Sequence, residues 1–345
     1  MNIRNLTIEE LEHELVSLNE EKYRTKQLFK WLHENIIVDI DEATNISKDL
    51  RAKLSSLYDF TLPTIYNEYA SKIDDTKKYL ILLADGNIIE SVLMKYSFGY
   101  SICVSSQVGC NMGCRFCAST VGGMKRNLET YEMLSQIYLI EKKNDIRISN
   151  IVIMGSGEPL QNFDNVVKFI KIINCEYGQN IGMRNITIST CGIVQGINQL
   201  MEVNIPINLA LSLHAPNDEI RKKIMPIANK YKLSDVMNAI KNYFIKTNRR
   251  ITFEYCLIKD VNDGIKNANL LVKLFKDSFN DRSVDFNVNL IPVNEVKESN
   301  FKRPNVEDIN AFKNILQNNN ISVTVRRELG KDISGSCGQL RASVK

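Results

Sequence analysis

The sequence predicts an α/β fold: a partial (β/α)6 barrel of TIM type, preceded by a small N-terminal helical domain and a β-rich linker. Three observations predict it. From about residue 100 onward, short apolar, β-branched runs alternate with longer segments of helical pattern, the signature of βαβ units and a parallel sheet. Polar residues collect at the C-terminal ends of those runs, the face on which a barrel places its chemistry. Before residue 100 the pattern is different, helical at first and then strand-like. The expected boundaries are 1–60 for the helical domain, 61–95 for the linker, 96–330 for the α/β core and 331–345 for a C-terminal segment.

The elements follow in order. In "EEKYRTKQLFKWLHENI", Tyr23, Leu28, Trp31, Leu32 and Ile36 recur at near-helical spacing, with Arg24, Lys26 and Lys30 between them. This is an amphipathic helix whose basic face is either simply solvated or touches phosphates. "TIYNEYA", "KYLILLADG" and "NIIESVLMKYS" read as strands, and Asp85-Gly86 suits a tight hairpin turn. The strands of the core are "SICVSS", "SNIVIMG", "RNITIST", "INLALSLH", "RITFEYCLI", "DFNVNLIP" and "ISVTVRR". Helical segments between them include "LETYEMLSQIYLIEKK", "VVKFIKIINC", "LSDVMNAIKNYFIK", "NANLLVKLF" and "VEDINAFKNILQ". A doubly wound sheet would use the same alternation. The barrel is favoured because "GSGEP", "STCG", "SLHAP" and "NLIPVN" all fall at strand ends that one barrel face would bring together.

Composition sets bounds. Over 345 residues, 44% are apolar and 24% charged, as in ordinary globular proteins. No apolar run approaches the roughly 18 residues of a spanning helix, and the start "MNIRNLTIEELEHEL" has no signal-peptide pattern. A cytoplasmic protein without a membrane partner is expected. A net charge of +4 permits a nucleic-acid partner without demanding one. In a reducing compartment eight cysteines point to metal, redox or catalytic thiols rather than a disulfide framework. Cys175, Cys191 and Cys256 lie in apolar-rich stretches and read as packing residues.

Cys110, Cys114 and Cys117, in "GCNMGCRFCAST", form a C-x3-C-x2-C array after a strand. Thiolates select zinc or iron–sulfur centres. A structural zinc site closes its tetrahedron, whereas His13, His33 and His214 all lie far from this loop in sequence. A 4Fe-4S cluster held by three cysteines leaves one iron open. The cluster is the favoured reading and zinc the alternative.

The array resembles the signature of radical S-adenosylmethionine (SAM) enzymes, in which SAM occupies the open iron. "GSGEP" resembles the glycine-rich element that contacts the SAM amino group. The resemblance narrows to the radical SAM rRNA adenine-C2 methyltransferase family and covers essentially the whole chain. It is carried by "YRTKQLFKWLH", "ESVLMKY", "CVSSQVGCNMGCRFC", "MGSGEPLQNFDNV", "TISTCGI", "LALSLHAPNDEIRKKIMPI", "FEYCLIKDVND", "NLIPVN" and "VTVRRELGKDISGSCGQL".

The resemblance implies a 4Fe-4S cluster on Cys110, Cys114 and Cys117 and two SAM molecules per turnover. It implies SAM contacts at Gly157, Glu158, Ser189, Ser212, Leu213, His214 and Asn294. Cys337, in "CGQL", matches the cysteine that one SAM methylates. A second SAM yields a radical that takes hydrogen from the S-methyl group, and the carbon then adds to adenine C2. Cys103, seven residues before Cys110, matches the resolving cysteine that frees the product with a transient disulfide. Glu90 matches the proton acceptor. Read without the family, Cys103 is a buried strand residue, Glu90 an outward-facing strand residue and Cys337 a mobile-loop thiol.

The substrates implied are 23S rRNA and tRNA next to the anticodon, with a flavodoxin- or ferredoxin-type electron donor; a monomer is expected. The basic residues Arg24, Lys26 and Lys30, and "VRRELGK" at 325–331, are the candidates for phosphate contact. Two other readings compete. A sister subgroup methylates C8 of the same adenine and confers antibiotic resistance, but typically reads "GEA" where this chain has Glu158-Pro159. A non-enzymatic iron–sulfur or zinc RNA-binding module is the remote alternative. Ser156 stands where the family commonly has Met, at a position where a small residue should be tolerated.

Overall fold

Thr7 starts the first helix with a reciprocal cap. Its hydroxyl accepts the Glu10 N–H at 3.3 Å while the Glu10 carboxylate accepts the Thr7 N–H at 2.9 Å, satisfying two donors the helix cannot. The computed structural model describes residues 1–203, 205–279, 284–296 and 299–341. Helices α1 (Ile8–Ser17), α2 (Tyr23–His33) and α3 (Lys48–Leu57) make up the N-terminal part. Helix α2 buries Thr25, Leu28, Phe29, Leu32 and His33. Tyr23, expected on that face, is exposed instead, with the Arg24 guanidinium 4.8 Å above its ring. It is the first residue of the helix, so its side chain projects past the end of the packed stripe.

A fully buried Arg4 ties this part together, donating to the carbonyls of Leu32, Ile37 and Phe60. His33 then docks it on the core. Its Nδ1 pairs with the Tyr138 hydroxyl at 2.8 Å, and its carbonyl accepts from Gln179 Nε2 at 2.8 Å.

Strands β1 (Thr64–Ala70), β2 (Lys77–Leu82) and β3 (Ile88–Tyr96) run antiparallel, and the Asp85-Gly86 turn joins the last two. Gly86 has φ +81°, a conformation glycine adopts without a Cβ penalty. Strand β3 also pairs antiparallel with β4 (Gly99–Cys103), so the linker strands extend the core sheet. A short hairpin, β5 (Gln107–Gly109) and β6 (Met124–Asn127), brackets the cysteine loop. Its strands are too short to leave a period-2 signal, and the sequence reading did not contain it.

The rest is βαβ. Parallel strands β7 (Ile148–Ile153), β8 (Ile186–Thr190), β9 (Asn208–Ser212), β10 (Ile251–Leu257), β11 (Phe286–Pro292) and β12 (Val323–Val325) follow β4 in sheet order. Helix α4 (Thr130–Asn144), α5 (Phe163–Asn174), α6 (Val194–Glu202), α7 (Asp218–Ile224), α8 (Leu233–Thr247), α9 (Ile265–Phe279) and α10 (Val306–Asn318) connect them. Among the described residues β12 pairs only with β11, so the parallel run is an open, partial barrel. Strand interiors such as Ile151, Ile188, Leu209 and Phe253 are fully buried, as expected of a sheet covered on both faces.

Candidate active site

The C-terminal strand ends converge on one cavity. Cys103 closes β4, Gly155 and Gly157 follow β7, Ser189 and Thr190 end β8, and Ser212 ends β9. Asn294 follows β11 and Arg326 follows β12, and both line the same space. The cavity holds about 1570 Å³ of empty space with its mouth included.

Cys110, Cys114 and Cys117 all line it. Met112, Met225, Ala215 and Val293 pack around them as a buried apolar shell. Burial pushes the Cys110 thiol up to about 11 and raises Cys114 and Cys117 as well, with the neighbouring thiols adding to the shift of the first two. Such thiols bind iron as thiolates only when a cation repays their charge. Arg221 is part of that environment. Fully buried, it donates to the carbonyls of Cys191 (2.7 Å), Leu213 (3.2 Å) and Ser212 (3.3 Å), and its charge acts on Cys114. Its second terminal nitrogen is buried with no hydrogen-bond partner. Among the described residues no three His, Cys, Asp or Glu side chains gather as a single metal ion would require. Three thiols that line one apolar cavity, with the Arg221 charge acting on Cys114, are a donor set suited to an anionic iron–sulfur cluster.

The loop after β7 is shaped by its glycines. A Cβ on Gly157, at φ +115°, would lie 2.7 Å from both Ser106 Oγ and Gln107 Cβ. Next to it, Glu158 is buried and uses both oxygens, accepting the Leu160 N–H at 3.1 Å and the Cys191 N–H at 2.7 Å. Burial raises its carboxyl. Ser156 is also buried, and its hydroxyl meets Ser119 Oγ at 3.3 Å, which a longer side chain would displace.

His214 lies against Phe116, edge on, with ring centroids 4.8 Å apart. Its Nδ1 accepts the Cys256 N–H at 2.9 Å, which places the ring proton on Nε2. Burial, with Arg221 assisting, lowers its pKa to about 3, so the ring is neutral. Ser189 and Ser212 face one another at 3.5 Å between hydroxyls. Leu213, expected at the cofactor, has its side chain in the hydrophobic core, leaving only backbone to face a ligand. Asn294 donates its amide N–H to the Cys337 carbonyl at 2.9 Å.

Cys337 is the exposed thiol among eight free cysteines, yet its surface opens into the cavity. The segment around it is strapped down. Gly338 O accepts the Ala118 N–H at 2.7 Å, and Ser119 Oγ donates to Leu340 O at 2.7 Å. At its start, Asp74 accepts the Gly330 N–H at 2.9 Å, and Asp332 accepts from Ser71 and Lys72. The sequence suggested a mobile loop; the backbone is instead bonded to the cysteine loop and to the linker. Although Cys337 keeps open surface at the mouth, desolvation by the surrounding protein raises its thiol, opposed by Arg326, and burial pushes Cys103 up to about 12, with Cys337 adding.

Arg326 was expected on a phosphate-binding surface. It turns inward, where burial opposes its charge but Cys337, Glu254 and Cys103 raise its pKa. Glu254 in turn accepts from Asn289 at 2.9 Å and lies 3.9 Å from Arg326. Arg24 hydrogen-bonds Gln27 and Asn45, Lys26 lies over the Tyr177 ring, and Lys30 pairs with Glu34.

Glu90 does not line the cavity. It shares a face of β3 with Val92 and Met94, which do, and pairs with Lys78 Nζ at 3.4 Å. Burial raises its pKa, opposed by Lys78 and by the backbone of Arg341. Sequence reasoning missed Arg221, Glu254 and Lys78, and gave Arg326 a different place. Each stands in a charged or strand-like run that reads as surface.

A fold of this kind, with three thiols on the loop after the first parallel strand, defines a radical SAM enzyme, and the comparisons with known proteins agree. The family model described as the radical SAM superfamily matches residues 104–268. The model described as the ribosomal RNA large subunit methyltransferase N-terminal domain matches residues 1–59. A probable dual-specificity RNA methyltransferase RlmN of Lachnoclostridium phytofermentans is 53% identical over 99% of this chain and 95% of its own length. One from Clostridium novyi is 51% identical over 99% and 97%. A solved radical SAM methyltransferase from Sphaerobacter thermophilus has a TM-score of 0.91 at 40% identity, covering 99% of this chain and 100% of that one. This chain belongs to the RlmN family of radical SAM methyltransferases, and its cofactors are accordingly a 4Fe-4S cluster and SAM. No described helix is long and apolar enough to cross a membrane.

Proposed function

We propose that this chain methylates C2 of an adenine in 23S rRNA, and C2 of the adenine next to the anticodon in tRNA, with Cys337 carrying the carbon. The observation behind this is that Cys337, Cys103 and the three cluster cysteines line one cavity. Cys110, Cys114 and Cys117 would hold the cluster, and the bound SAM and cluster would supply a methyl group and one-electron radical chemistry. Adenine C2 is electrophilic and has no acidic C–H, so polar methyl transfer cannot serve there.

The protein's own groups do the rest. Cys337 accepts the methyl group as a thiolate, a form that the Arg326 charge favours. His214 offers Nε2–H to the cofactor, beside Ser189, Ser212 and the backbone of Gly157, Glu158 and Leu213. Asn294 serves the site by holding the Cys337 backbone. After the adduct gives up its odd electron to the one-electron redox partner and its C2 proton, the Cys103 thiolate attacks the Cys337 sulfur, forming an S–S bond as the S–C bond breaks; the electron pair stays on the carbon, which takes up a proton to become the methyl group. Glu90 accepts the proton from C2.

In this reading residues 1–60 contact RNA, 61–95 link, 96–330 hold the cofactors, and 331–345 present Cys337; residues 342–345 lie outside the described residues. The protein works as a cytoplasmic monomer reduced by a flavodoxin- or ferredoxin-type donor. The test is cluster-reconstituted Cys337→Ala with methyl-labelled SAM and transcripts of 23S rRNA and tRNA. The expected result is no label in protein or RNA while SAM cleavage persists. RNA methylation by this variant, or 8-methyladenosine as sole product of the unaltered chain, would overturn the proposal.

A further inference from the structure

Phe98, at the turn between β3 and β4, is 63% exposed. A lone exposed aromatic is ordinary on a protein surface. This one continues a stack. Its ring lies parallel to that of Tyr96, with centroids 5.0 Å apart and 7° between planes. Tyr96 lines the cavity that holds Cys337 and Cys103. Its hydroxyl reaches Met94 Sδ at 3.7 Å, and Met94 packs against Val92 and Leu340 on the cavity wall. The two rings therefore form a ladder from the cavity wall to solvent. Among the described residues no other ring and no cation covers Phe98.

A second observation concerns charge. The cations around the mouth are mostly committed: Arg303 and Lys331 to Glu328, and Arg326 to Glu254 and the thiols. Arg327 is not. It is exposed, lines the same cavity, and makes no hydrogen bond or ion pair among the described residues. An open aromatic face that continues the cavity wall, and an uncommitted guanidinium on the same cavity, supply the two things a nucleotide needs, one group for the base and one for the phosphate.

We propose that Tyr96 and Phe98 form a stacking platform for the base neighbouring the target adenine, with Arg327 binding the adjacent phosphate. This rests on the RNA-substrate reading above and names residues that position that substrate. An adenine entering the cavity must leave its stack, and its neighbour loses one stacking face. Phe98 replaces that face. Aromatic stacking accepts any base because every base has a π-face, so one platform serves two RNAs of different sequence.

The test uses full-length, cluster-reconstituted protein with 23S rRNA and tRNA transcripts. Phe98→Ala raises KM for both RNAs by about tenfold, the scale of one lost base–aromatic stack, with kcat nearly unchanged. Phe98→Tyr behaves as the unaltered chain. Arg327→Gln lowers the slope of log affinity against log salt by about one. A Phe98→Trp substitution, in a Trp31→Phe background, gives fluorescence that either RNA quenches. SAM cleavage without RNA stays constant throughout. An unchanged KM in Phe98→Ala overturns the platform, as does a defect that tracks the concentration of a protein reductant. Failure of the RNA reading looks different: the unaltered chain would methylate neither RNA.

Discussion

Replacing Lys78 with Met removes the partner of a buried carboxylate, and the damage depends on pH with a definite sign. Glu90 is 2% exposed, the Lys78 side chain 11%, and their charged atoms lie 3.4 Å apart. At an effective dielectric of about 20, unit charges at this range interact by about 5 kcal/mol. Removing one member of a buried pair typically costs about 3–5 kcal/mol. Protonation gives Glu90 an escape. Burial already raises its folded pKa above the unfolded carboxylate value, and loss of Lys78 raises it further. Stability from the bound proton is fully present below the unfolded pKa and is lost as pH rises through the folded one.

The deficit of Lys78→Met is therefore small near pH 4.5, a value close to the unfolded carboxylate at about 4.3. It grows toward about 3 kcal/mol at pH 8, roughly 6 °C in Tm at about 2 °C per kcal/mol for a chain of this size. Lys78 also donates to Ser334 O and lies over the Tyr69 ring. Those losses do not titrate with Glu90, so a double-mutant cycle with Glu90→Gln isolates the pair. The assay is thermal unfolding of the four proteins at several pH values. A deficit equal at all pH, or one that survives unchanged in the Glu90→Gln background, would refute the reasoning.

Two further predictions concern the cavity. Gly157→Ala forces a Cβ to within 2.7 Å of Ser106 Oγ and Gln107 Cβ at φ +115°. It should cost about 1–3 kcal/mol of strain and weaken SAM binding, measured by calorimetric unfolding and by titration of the reconstituted protein; full SAM affinity would contradict it. Arg326→Gln removes the charge that opposes the upward shift of Cys337 and Cys103. The pH profile for methyl-label transfer from SAM to protein should move to higher pH, with Arg326→Lys restoring much of it; an unmoved profile would count against thiolate stabilisation by Arg326.

The fold was legible because its signals are local. Runs such as "NIVIMG" and "ITIST" are apolar and β-branched, and they became β7 and β8. Asp85-Gly86 became the turn it resembles. The missed elements were short or masked by charge: α7 carries "DEIRKK", whose Arg221 turns wholly inward. The C-x3-C-x2-C loop and the strand-end residues were visible because chemistry needs those residue types at that spacing. The supporting charges were not, since nothing in "RRELG" shows that Arg326 engages Glu254 and the thiols while Arg327, on the same cavity, is exposed and has no partner among the described residues. That division follows from the tertiary position of β12. Likewise Glu90 shares one face of β3 with Val92 and Met94, and only the fold shows that those two reach the cavity while Glu90 meets Lys78 and the Arg341 backbone.

That segment binds the two ends of the proposed chemistry together. The carbonyls of Cys337, Gly338 and Leu340 are bonded to Asn294, Ala118 and Ser119, so the cysteine loop itself sets where the reactive sulfur stands. Backbone anchoring leaves the Cys337 side-chain torsion free to face a methyl donor, a base or Cys103 in turn. Three residues on, Leu340 packs against Val92 and Met94, and the Arg341 backbone meets Glu90. The strap that presents the thiol thus also covers the carboxylate. The carboxylate proposed as the base is thereby kept, paired with Lys78, out of the cavity that the cysteines line.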